Sequence, residues 1–261
     1  MILHIAHASS YIPETIRAQF VLDDRTLEEE LLRVTDAFTD ELFDYPDARK
    51  VVFPVSRLVV DVERFSHDRD EPMSRLGQGM IYTKTCQGTP LRRELSEEER
   101  RLLKSVYYVP HHELLRRAVL EDILSGGKSL IVDCHSFPSR PLPCEENQDG
   151  NRPDFCVGTD VFHTPPGLLQ TAESALRSNG YAVGIDSPYS GSLVPSAYHR
   201  KNPNVWSVMI EVNRKLYMDE KTGSKSSGFK SVKDRIQAIL KVLAAFSGAA
   251  KGPGTGVLQR E

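Results

Sequence analysis

Four apolar runs in this chain end on residues able to do chemistry. His7 closes ILHIAH, Asp61-Val62-Glu63-Arg64 closes RLVVDVER, Asp133-Cys134-His135-Ser136 ends SLIVDCHS, and Glu211-Val212-Asn213-Arg214 ends VWSVMIEVNR. Two histidines and several carboxylates converging on one edge of a sheet suit a catalytic metal site, with neutral imidazoles and a carboxylate holding the ion and water keeping an open position. Such ligands would come from distant segments, so no compact spacing such as H-E-x-x-H announces them. On that reading Asp133 either orients a ligand from behind or orients a loop, rather than binding the ion. Glu211 follows the apolar VMI and is costly to bury unpaired, which points to a perturbed, functional carboxylate.

Other chemistries fit less well. His111 and His112 are adjacent on an expected helix, so their side chains diverge and cannot comfortably share an ion. Gly77-Gln78-Gly79-Met80 lacks the Gly-Lys-Ser/Thr ending of a phosphate loop. Cys134 and His135 are strand neighbours facing opposite sides, which precludes a direct nucleophile–base pair. Cys86, Cys134, Cys144 and Cys156 contain no C-x-x-C pair, and four cysteines cannot staple 261 residues.

The elements that must position these residues alternate between strands and helices. Residues 1–7, 50–55, 57–62, 129–135, the DFCVG run, YAVGID and VWSVMIEV read as strands. Thr26 to Glu29 has capping-box spacing, and Leu27, Leu31, Val34, Phe38 and Leu42 recur at helical intervals, giving an expected helix over 26–44. A second box, Ser96 to Glu99, opens a helix that Pro110 should break or kink before it resumes to Leu124, with Gly126-Gly127 ending it. Pro166 to Asn179 and 231–246 read as helices, 137–153 and 221–230 as loops, and 247–261 as a loose tail after one domain spanning 1–246. Alternating strands and helices imply a mostly parallel α/β sheet covered on both faces, whose ligands collect beyond the carboxyl ends of the strands.

Composition narrows the class further. The chain has 39% apolar and 26% charged residues and a formal charge of -3, which excludes a disordered chain and gives no field for a nucleic-acid backbone. No apolar run is long enough for a bilayer, and MILHIAHASS lacks a basic signal-peptide start. A soluble, cytoplasmic protein acting on a small molecule, without membrane or nucleic-acid partners, is expected; the oligomeric state is left open.

Several ordered motifs then converge. DCHSFPSR (133–140), NRPDFCVGTD (151–160), SNGYAVGIDSPYSGSLV (178–194) and MIEVNRKLYMDE (209–220), preceded by HIAHASSYIP, TDAFTDELFDY and SRLVVDVER, resemble the N-formylglutamate amidohydrolase family across roughly residues 4–246. The resemblance implies a three-layer α/β/α fold with a mixed, mainly parallel sheet, like the metallocarboxypeptidases and the wider phosphorylase/hydrolase class. It implies one divalent ion, Zn2+, held by His7, His135 and a third ligand: Asp36, from the family's T-D motif, is preferred over Glu14. Glu211 is similar to the catalytic glutamate, and Arg64 to an arginine that polarises the scissile carbonyl or clamps a substrate carboxylate. Arg57, Asn213 and Arg214 are candidate substrate contacts, as are Tyr189 and Ser190 in the PYSGS loop. The implied reaction is hydrolysis of an N-formyl or other N-acyl amino acid, N-formyl-L-glutamate foremost; a different N-acyl substrate or small peptide, or a non-catalytic ligand-binding homologue, are the alternatives. This chain departs from the motifs in A-H-A-S for P-H-S-G, in the final Ser192 of PYSGS for Gly, and in Glu63, which stands where D-x-N-R has asparagine.

Overall fold

The computed structural model describes residues 1–249. Its six strands are β1 (Ile2–Ile5), β2 (Arg49–Val52), β3 (Ser129–Phe137), β4 (Phe155–Gly158), β5 (Val183–Ile185) and β6 (Val205–Asn213), and they form one sheet in the order β2-β1-β3-β6-β4-β5. β2, β1, β3 and β6 run parallel, β4 lies antiparallel to β6, and β5 follows β4, so the sheet is mixed and mainly parallel, as expected. The helices are α1 (Glu14–Arg17), α2 (Asp24–Val34), α3 (Thr39–Leu42), α4 (Glu97–Leu103), α5 (Val109–Gly126), α6 (Pro166–Arg177) and α7 (Phe229–Ala249). None among the described residues is long and apolar enough to cross a membrane.

Strand side chains alternate between faces, and the two faces bury different sets. Leu3, Ile5, Leu130, Val132, Val208 and Ile210 pack with Leu168, Ala172 and Leu176 of α6 and Ile236, Leu240 and Leu243 of α7. Ile2, Ile131 and Val205 pack on the opposite face with Leu115, Ala118 and Val119 of α5. Full burial of each of the Val, Leu and Ile side chains contributes roughly 1.5–3 kcal/mol, so helices on both faces hold the sheet. The same alternation sorts the polar residues. His4, Asp133, His135 and Glu211 all fall out of phase with the α6/α7 face, and the register sets His4 beside Asp133 and His135 beside Glu211.

Several local expectations are corrected. The helix expected over 26–44 starts earlier and is interrupted. Asp23 caps α2 by accepting from the Thr26 N–H, α2 ends at Val34, and Phe38 (φ 67°) sits in the left-handed region before α3. In the gap the Asp36 N–H donates to the His7 carbonyl at 2.9 Å, tying the segment to the end of β1. The run 57–62 is not a strand. It is buried within a separate apolar cluster that includes Phe53, Leu58, Val60 and Tyr82. Its backbone is satisfied from elsewhere: Arg92 donates to the carbonyls of Leu58 and Val59, and Asp61 N–H to that of Met80. β2 stops at Val52, short of Pro54. The Ser96–Glu99 capping box forms, and the expected break near Pro110 takes the form of a π-turn over Lys104–Tyr108, directly before α5. Of the tail, 247–249 complete α7 and the remainder lies outside the described residues.

Candidate active site

The carboxyl ends of β1, β3 and β6 deliver a buried histidine–carboxylate centre. His135 stands between carboxylates: its Nδ1 lies 2.9 Å from Asp36 Oδ2, and its Nε2 lies 3.0 Å from Glu63 Oε1 and 3.2 Å from Asp133 Oδ1. The His7 ring centroid is 5.2 Å from that of His135. His7 Nε2 is fixed by Asp61 at 2.9 Å, while Nδ1 is buried without a hydrogen-bond partner, 3.7 Å from Asp36 Oδ2 and 3.9 Å from Glu63 Oε2. Behind them His4 Nδ1 meets Asp133 at 2.7 Å, and His4 Nε2 meets His111 at 2.8 Å. Glu211 is 7% exposed, with Oε2 buried and unpartnered.

Electrostatics sets the protonation of this centre. Burial and Arg57 act to lower His7, but the carboxylates of Asp61 and Asp36 outweigh them and raise it. Burial is likewise overcome at His135, which Glu63, Asp133 and Asp36 push well above the usual imidazole range. Asp36 is held low by the two histidines despite its burial. Asp61 is held low by Arg57, His7 and Arg64, again against burial. Glu211 moves the other way. Burial chiefly, then Asp36 and Glu63, push it up to about 8, with His135 and Arg214 pulling against them.

Each candidate residue has a definite place. His7, Asp36, His135 and Glu211 are brought together. Glu14 is exposed at the start of α1 and is not part of the cluster. Arg57 donates from Nε and Nη2 to Asp61 Oδ2 at 3.1 and 2.8 Å, so it is committed to the carboxylate that orients His7. Arg64 is looser: its buried Nε lies 3.6 Å from Asp61 without a hydrogen bond, and Nη1 lies 3.8 Å from Glu71. Arg214 is engaged by Asp36 Oδ1 at 3.0 Å and by the carbonyls of Arg33 and Ser136. Asn213 is fully buried and serves the backbone, donating to Pro153 O and accepting from Lys215 N–H. Tyr189 receives Arg152 Nη1 at its hydroxyl at 3.0 Å. Burial first, then the Glu211 charge, push its phenol up. Ser190 is exposed.

Sequence reading underrated three residues. Asp61 accepts from His7, Arg57 and the Tyr82 hydroxyl, and its position at the end of an apolar run was the available signal. Glu63 stood at the end of the same run and as a motif departure but was given no role, yet it reaches both histidines. Arg152, which joins Glu145 to Tyr189, carried no signal. Two groups present ligand atoms that all lie within 4.8 Å of one another: His7, Glu63 and His135, and His4, Glu63 and Asp133. Asp36 reaches both histidines through one oxygen.

A mixed α/β sheet with a buried histidine–carboxylate centre at its carboxyl edge, and one carboxylate raised toward neutrality, has the makings of a hydrolytic enzyme. The family model for N-formylglutamate amidohydrolase matches residues 1–218, and the chain belongs to that family. The fold is similar to that of N-formylglutamate amidohydrolase from Ralstonia eutropha, with a TM-score of 0.81 and 23% identity over 97% of this chain and 94% of that one. It is also similar to a gene product from Agrobacterium tumefaciens, with a TM-score of 0.63 and 20% identity over 94% and 90% of the two chains. No curated protein matches.

Proposed function

We propose that this chain hydrolyses the amide bond of an N-acyl amino acid, N-formyl-L-glutamate foremost, to formate and L-glutamate, and that it does so with one divalent ion, zinc. The observation that carries this reading is the pair of buried, unpartnered atoms in one centre, His7 Nδ1 and Glu211 Oε2. An imidazole whose other nitrogen is fixed by a carboxylate has the tautomer and orientation of a metal ligand.

Charge supports the same conclusion. With Glu211 ionised, five carboxylates (Asp36, Asp61, Glu63, Asp133, Glu211) face three guanidiniums (Arg57, Arg64, Arg214), one of which Glu71 shares, leaving at least two negative charges for imidazolium protons or a dication to balance. His7, His135 and Asp36 would hold the ion. Once bound, it supplies Lewis-acid polarisation and water of lowered pKa. Glu211 takes a proton from the attacking water and returns it to the departing amine, a transfer suited to a carboxylate raised toward neutral pH. Arg64, with donors to spare, stabilises the developing oxyanion. Asp61 and Asp133 hold the imidazoles in orientation.

Metal analysis of the purified protein, paired with hydrolysis assays over N-formyl and other N-acyl amino acids, tests this. Stoichiometric metal and turnover of N-formyl-L-glutamate are expected, and Glu211→Gln should lower kcat by about 10²–10⁴-fold. Absence of both metal and turnover would sink the enzyme reading and favour a ligand-binding homologue.

A further inference from the structure

A dicarboxylate substrate needs a second cation besides the one near its reacting amide, and the arginines first suited to that role are already committed. Arg57 is engaged by Asp61, and Arg214 by Asp36. Next to the centre, however, lies a cleft of about 210 Å³ lined by Arg33, Pro138, Arg140, Pro141, Arg214 and Glu220, among others. It adjoins the centre through Arg214, which lines the cleft and donates from its guanidinium to Asp36.

Among the described residues, Arg140 has no hydrogen bond or ion pair. Arg33 is only loosely held, at 3.4 Å from both Glu29 and Glu30. The single acidic lining residue, Glu220, is occupied: its two oxygens accept the Ser139 N–H at 3.2 and 3.0 Å. That contact pins the backbone next to Arg140 and sets the arginine at the cleft. An uncompensated guanidinium in a concave, partly apolar pocket is a receptor for a carboxylate, because it is permanently charged and donates as a planar fork.

We infer that this cleft is the subsite for the side-chain carboxylate of the substrate, with Arg140 as its principal contact and Arg33 assisting. The inference rests on the N-acyl amino acid reading above. It makes Arg140 a determinant of specificity for acidic over apolar amino acids.

The test is calorimetric binding of L-glutamate and L-leucine to metal-supplemented wild-type protein and to Arg140→Ala, Arg140→Glu and Arg140→Lys. Arg140 is exposed, so these variants should fold. Arg140→Ala should weaken L-glutamate about tenfold, the scale of one hydrogen-bonded charge, and leave L-leucine within about twofold. Arg140→Glu should weaken L-glutamate further, and Arg140→Lys should restore much of the loss. Equal losses for both ligands, or none for either, overturn the subsite. If wild type binds both amino acids alike and Arg140→Ala changes nothing, the amino-acid reading stands and the subsite alone is wrong. If wild type binds neither, that reading has failed and the subsite falls with it.

Discussion

In the proposed metal site two carboxylates compete for the third place beside His7 and His135, and their surroundings separate them. Asp36 is buried, its Oδ2 faces Nδ1 of both rings, and Arg214 anchors its other oxygen. Glu63 is 20% exposed and touches His135 through Nε2, on the far side of the ring from Asp36. A ligand gains from being held in place before the ion arrives, which favours Asp36. Asp36→Asn is therefore expected to lose most of its bound metal on dialysis, whereas Glu63→Asn, which restores the residue of the D-x-N-R motif, should keep near-stoichiometric metal. Removing the Glu63 charge should also lower KM for an anionic substrate severalfold with little change in kcat, since one repulsive carboxylate leaves the vicinity of Arg64. Metal content by atomic spectroscopy decides the matter: loss from Glu63→Asn with retention in Asp36→Asn reverses the assignment.

At the level of elements, strand parity carried much of the site. Period-two alternation in SLIVDCH and VWSVMIEV already separates Asp133, His135 and Glu211 from the apolar face, and parallel register then sets His135 beside Glu211. A loop leans on the same sheet. A Cβ added at Gly158, the end of β4, would lie 2.3 Å from the Gly191 carbonyl oxygen and 2.4 Å from Met209 Cε. Backbone cannot yield there cheaply, so Gly158→Ala should cost about 1–3 kcal/mol and shift the loop that carries Tyr189, lowering kcat/KM. Urea denaturation with parallel kinetics measures both, and wild-type values for both would show that the loop does not depend on this contact. What the sequence hid arises from long-range pairing. The periodic residues Leu27 to Leu42 read as one helix, yet the bond from Asp36 N–H to His7 O breaks it and swings Asp36 into the centre. The apolar run 57–62 read as a strand, but Arg92, distant in sequence, takes its carbonyls. The arginines were legible as charges but not as partners, because whether Arg57 or Arg140 is free depends on which carboxylate the fold brings near.

At the scale of the whole molecule, four of the eight histidines form two pairs with opposite effects on stability. His111 is pushed down to about 2 and His112 down to about 4, chiefly by burial and then by the charge of His4. Both folded pKa values lie below the unfolded value near 6.5, so the unfolded chain binds more protons, and their stabilisation is full above pH 6.5 and fades as pH falls. His7 and His135 are raised, so their contribution is full below pH 6.5 and is lost as pH rises through their folded values. Glu211, raised to about 8, adds to that alkaline loss, since above its unfolded value the folded state alone keeps the proton. Between about pH 4.5 and 6 the two depressed histidines outweigh Glu211 by one proton, an upper-bound slope on the order of 1.4 kcal/mol per pH unit because His112 is only partly buried. The metal-free protein should thus be most stable near pH 6–6.5 and lose stability on both sides. Adding a divalent ion replaces the protons on His7 and His135, so their share of the alkaline loss should disappear while the acid limb, governed by His111 and His112, keeps its slope up to the pH at which protons displace the metal. Urea midpoints from pH 4.5 to 9, with chelator and with added zinc, measure both limbs. An alkaline limb that zinc leaves unchanged would mean that the raised imidazoles are not the ligands, and a chelated protein with no alkaline limb would mean that their protons do not stabilise the fold.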